Sequence, residues 1–119
     1  MARDRYLVIV DLPHEGRHTI TARADETVLA AARRHGLRLP SRCECGWDLA
    51  CAARVLEGEL DHSRARRYFP EDAAAGFALI CVAVPRSDLV IRTHQSAAMR
   101  HHREVHGLPA PASTTARAW

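Results

Sequence analysis

The stretch Ser41-Arg42-Cys43-Glu44-Cys45-Gly46-Trp47-Asp48-Leu49-Ala50-Cys51 gathers three of the four cysteines of this 119-residue chain into one short loop, and the fourth, Cys81, lies far downstream. Cysteines spaced this way fit either disulfides or a metal. The compartment decides between them. The N-terminus, Met1-Ala2-Arg3-Asp4-Arg5, runs straight into a strand-like segment without the apolar core of a secretory leader, so the expected location is the reducing cytoplasm. There, clustered thiols favour metal ligation. Three donors from a tight loop and one from a distant segment can converge on a single centre.

Working outward, the length is that of one domain with a modest core. Aromatic residues make up 5% of a chain that is 47% hydrophobic, so Ala, Val, Leu and Ile must build that core. No segment approaches the ~20 apolar residues of a membrane span. The net charge of +3 comes from Arg alone, and the surplus sits in the tail, where Arg100, Arg103 and Arg117 face Glu104. The body is close to neutral and has no Arg stripe interleaved with aromatics, which argues against nucleic acid as a partner.

Arg5–Leu12 is rich in β-branched residues and ends at Pro13, and residues 17–23 alternate after the turn residues His14-Glu15-Gly16. The two predict an antiparallel hairpin. Asp25 is the expected cap of a helix through Val28-Leu29-Ala30-Ala31-Ala32-Arg33-Arg34 that stops at Gly36 and packs Val28, Leu29 and Ala32 on the sheet. Residues 52–57 read as a strand ending at Gly58, and 70–76 as a helical turn opened by Pro70. Residues 77–84 and 88–92 read as the last two strands. Thr93 to His106 is compatible with helix, and Gly107 to Thr115 is rich in Pro, Ala, Ser and Thr, so 93–119 is expected to be an extension outside the core, partly helical and then disordered. The cysteine-bearing domain is expected to occupy residues 1–92.

This order of elements, with the cysteine frame, resembles the plant-type [2Fe–2S] ferredoxin family, including its stand-alone bacterial members that serve oxygenase systems. The motifs that carry the likeness are Asp25-Glu26-Thr27-Val28-Leu29, Leu39-Pro40-Ser41-Arg42-Cys43, Gly46, Val55-Leu56-Glu57-Gly58-Glu59-Leu60-Asp61, and Cys81 followed by Val82 to Ile91. The resemblance implies an α+β, β-grasp fold (the ubiquitin-like roll): a mixed sheet, one packed helix and a cluster-binding loop. It also implies a [2Fe–2S] cofactor and one-electron transfer without catalysis.

Cys43, Cys51 and Cys81 stand on the family frame, but the family's second cysteine is Asp48 here. Cys45 is the softer donor and suits iron–sulfur chemistry, whereas Asp48 needs no change of backbone course, and both stand as the fourth ligand. Gly46 would let backbone N–H groups approach the sulfides, and Arg42 adds positive charge beside them. A cluster-free relative, with its thiols serving as small buried hydrophobes, is the remaining reading.

Three further features carry less. His102 and His106 have the i, i+4 spacing of a metal pair but no added acid or thiol on that face, which favours solvated histidines. Trp47 is either a shield over the cluster or a packed loop residue. Arg64, Arg66, Arg67 and Tyr68 form a basic run, a solvated face or a dock for an acidic surface. The expectation is a monomeric carrier between a flavin or iron–sulfur reductase and an oxygenase-type acceptor. Its alternatives are a ferredoxin-type reactivator of a ring-cleaving dioxygenase and a non-redox binding protein that has lost the cluster.

Overall fold

The computed structural model describes residues 4–13, 15–40, 49–65 and 67–109. Strands β1 (Arg5–Leu12) and β2 (Gly16–Arg23) pair antiparallel from Arg5↔Arg23 to Leu12↔Gly16. Alternation sends Val8, Val10 and Leu12 to the same buried face as Ile20 and Ala22. Helix α1 (Val28–Arg34) covers that face with Val28, Leu29, Ala31 and Ala32.

Its cap is Thr27, not Asp25: the extended Thr27 stands immediately before the first helical residue, and its Oγ1 accepts from Ala30 N at 3.2 Å. At the other end Gly36 takes φ +83°, and Leu37 N donates to Ala32 O, the reversal for which glycine is suited.

The remaining elements are β3 (Ala52–Glu57), β4 (Leu60–Asp61), α2 (Pro70–Ala74), β5 (Phe77–Leu79), β6 (Val84–Pro85), β7 (Leu89–Arg92) and α3 (Ser96–Val105). Five strands form a mixed sheet in the order β2-β1-β7-β3-β5, with β1 and β7 parallel and the other pairs antiparallel. β4 and β6 make a separate two-stranded ladder. This is the α+β arrangement of a β-grasp fold.

Two further expectations are corrected. The single strand over 77–84 is two strands separated by a turn, because the Ile80 and Ala83 carbonyls turn away from the ladder to accept Leu29 N and Val28 N, the otherwise unpaired first donors of α1. The stretch beyond Arg92 does contain the expected helix, but that helix is not outside the core. Met99 and Arg103 of α3 are fully buried. The Pro/Ala/Ser/Thr-rich end, 110–119, lies outside the described residues.

Candidate metal centre

Cys51 sits one residue before β3, and Cys81 sits in the turn two residues after β5. Those strands pair antiparallel with Ala52 opposite Leu79, so the two cysteines emerge from the same end of one ladder. Their Sγ atoms are 3.1 Å apart, well beyond the ~2.05 Å of a disulfide, and the pair needs to open only to the ~3.8 Å edge of a tetrahedral thiolate site for one metal ion to take both. Both residues are buried, at 3% and 7% exposure.

Both cysteines belong to the apolar core, with Leu49, Ala52, Ala53 and Ala78 buried in the same cluster. Burial among apolar residues keeps the two sulfur atoms away from water. Two buried soft sulfur donors side by side fit an iron–sulfur group.

The turn that carries Cys81 is held from three sides. α1 grips Ile80 and Ala83 through its first N–H groups, and Val82 N and Ala83 N close back on Leu79 O. The third hold is His62, whose Nε2 accepts from Leu79 N at 3.1 Å. The His62 ring stacks on Tyr68 at 3.6 Å and 7°, and burial pushes its pKa down to about 4, which keeps Nε2 an acceptor. Tyr68 donates its hydroxyl to Phe77 O at 2.7 Å, and burial pushes that phenol up to about 12. The sequence reading missed His62, because a lone histidine in a loop has no periodicity to mark it.

Of the other expected site residues, Arg42, Cys43, Cys45, Gly46, Trp47 and Asp48 lie outside the described residues, as does Arg66. The basic run does not form one face. Arg64 borders a hollow of about 510 Å³ with Arg5, Arg23 and Arg86, whereas Tyr68 turns inward on His62 and Phe77.

The histidine pair is also corrected. His106 is exposed, but the His102 side chain is only 11% exposed, tilted on Phe77, with Nε2 3.2 Å from Asp72 Oδ1. Docking of α3 onto α2 buries it. No helix among the described residues is long and apolar enough to cross a membrane.

The comparisons with known proteins converge on the same region. The family model for the 2Fe-2S iron-sulfur cluster binding domain matches residues 12–86. Ferredoxin-2 of Synechococcus sp. is 45% identical over 87 residues, 72% of this chain and 83% of its own length. The vegetative ferredoxin of Trichormus variabilis is 43% identical over 77 residues, 65% of this chain and 78% of its own.

Among solved structures, the Amycolatopsis cytochrome P450 reductase GcoB matches with a TM-score of 0.62 and 31% identity, over 71% of this chain and 25% of that one. Phthalate dioxygenase reductase, described as a modular structure for electron transfer from pyridine nucleotides to [2Fe–2S], matches with a TM-score of 0.57 and 27% identity, over 76% of this chain and 28% of that one. This chain thus corresponds to under a third of either reductase.

Proposed function

The chain belongs to the plant-type [2Fe–2S] ferredoxin family, and on that premise we propose that it is a monomeric cytoplasmic carrier passing single electrons from a flavin or iron–sulfur reductase to an oxygenase-type acceptor. The observation that carries this reading is the convergence of Cys51 and Cys81 at 3.1 Å inside the matched domain. When bound, the [2Fe–2S] cluster supplies reversible one-electron chemistry.

In this reading the chain's own residues bind and insulate. Cys51 and Cys81 are two of the ligands, Cys43 is the third, and Cys45 or Asp48 completes the set, with Gly46 and Arg42 beside them. Ala52, Ala53 and Ala78 keep water from the thiolates. The cluster domain is 1–92, and 93–119 is an extension whose helix is fastened back onto it. Support for the partner class comes from the two matching structures, one a cytochrome P450 reductase and the other the reductase of a dioxygenase.

Anaerobic reconstitution followed by iron, sulfide and EPR analysis tests the carrier. The expected result is a red-brown protein with two irons and two sulfides per chain and a rhombic S = 1/2 signal on reduction. A colourless protein that takes up neither iron nor sulfide overturns the reading in favour of a cluster-free binding protein. Stopped-flow electron delivery to a P450 or a dioxygenase then assigns the acceptor class.

A further inference from the structure

Asp72 and Arg103 form an ion pair with both residues at 0% exposure. Arg103 Nη2 donates to Asp72 Oδ2 at 2.9 Å and Nε to Oδ1 at 3.4 Å. The other guanidinium donors are used as well, with Nη2 reaching Arg67 O at 2.8 Å and Nη1 reaching Pro109 O at 3.0 Å. The face of the group lies 5.0 Å above the Phe69 ring. Asp72 Oδ2 also accepts Phe69 N at 2.9 Å, which ties the start of α2, and His102 Nε2 stands beside Oδ1. The pair therefore joins α2, α3, the 67–69 loop and the chain beyond α3.

The two helices it joins lead to the two cysteines. α2 runs through Ala75 and Gly76 into β5, and β5 into the Cys81 turn. Gln95, immediately before α3, donates its N–H to Ala52 O at 3.0 Å, and Ala52 follows Cys51. α3 lies outside the residues 12–86 that the family model matches. A buried ion pair is a weak source of net stability, since apolar replacements are often neutral or better, whereas its fixed fork geometry is a strong source of positional definition.

We propose that Asp72 and Arg103 are positioning residues for the metal centre: a buried ionic lock that uses α3 to hold the Cys51 and Cys81 segments at their mutual spacing. The proposal rests on the cluster reading above. It gives the C-terminal helix a function that the bare cluster domain does not require.

The test compares full-length, cluster-loaded wild type with Arg103→Lys and with the double variant Asp72→Asn/Arg103→Met. Lysine keeps the charge without the fork. The double variant removes both charges, while the amide oxygen introduced at position 72 can still accept the Phe69 N–H.

The expected result is that both variants show altered g-values or a shifted reduction potential, and lose iron to a chelator about tenfold faster or more, as when groups that orient metal ligands are removed. These changes should persist in whichever variant keeps the wild-type thermal midpoint. Wild-type EPR, potential and chelation rate in a folded variant would overturn the lock as a positioning device and leave it a structural tie. If neither variant folds, truncation after Gln95 decides, because a truncated protein with the wild-type EPR signal refutes the role of α3. A wild type that takes up no iron or sulfide instead overturns the carrier reading, which separates the two failures.

Discussion

His62 offers a quantitative test of how the Cys81 turn is held. In the folded chain its pKa is pushed down to about 4 from 6.5, chiefly by burial, and its Nε2 accepts the buried Leu79 N–H. Between these two values the unfolded chain binds the proton and the folded chain does not. Stability is therefore complete above about pH 6.5 and declines as pH falls toward 4. The full gap, at ~1.4 kcal/mol per pH unit, is roughly 3.5 kcal/mol, and about 2.5 kcal/mol of it is lost by pH 4.5.

His62→Phe keeps a ring against Tyr68 but cannot titrate or accept. Above pH 6.5 it should cost ~1–3 kcal/mol for the stranded Leu79 donor, and because it lacks this part of the acid sensitivity its deficit should shrink as the pH falls. In matched thermal scans of the cluster-loaded proteins from pH 8 to 4.5, the wild-type midpoint should fall about 10 °C further than the variant's. Parallel pH profiles for the two proteins, or an NMR titration placing His62 near 6.5, would refute the argument.

Two other outcomes are expected. If Cys45 is the fourth ligand, Cys45→Ser shifts or weakens the charge-transfer bands while Asp48→Asn changes little; the opposite pattern in visible spectra assigns Asp48, and Asp48→Cys should then raise the potential, since thiolate replaces a harder donor. Gly58→Ala should destabilise strongly, because φ is +102° and an added Cβ would lie 2.2 Å from Asp88 O; the strain alone is worth ~1–3 kcal/mol, and a denaturation midpoint unchanged from wild type would show that the β3 end relaxes freely.

Features that rest on short-range physics were legible in the chain before any folding. The β-branched run of β1, the alternation of β2, the stop at Gly36 and the strand ending at Gly58 are all where local patterning puts them, since each depends on neighbours a few residues away. The helix within 93–106 was legible for the same reason. The cysteine frame was legible as metal chemistry because thiolate spacing is itself the signal.

Which of these elements are buried, and what interrupts them, depends on contacts between distant parts of the chain. The run 77–84 reads as one strand, and it breaks because two carbonyls are claimed by the start of α1, a partner some fifty positions earlier in the chain. The cap at Thr27 rather than Asp25 turns on where α1 begins, which packing on the sheet settles. Asp72 and Arg103 look like surface residues in sequence, an acid in a helical first turn and an arginine in a polar tail. They become a buried pair because α3 folds back across α2, and a fully desolvated charge survives there only with a partner that no local pattern announces.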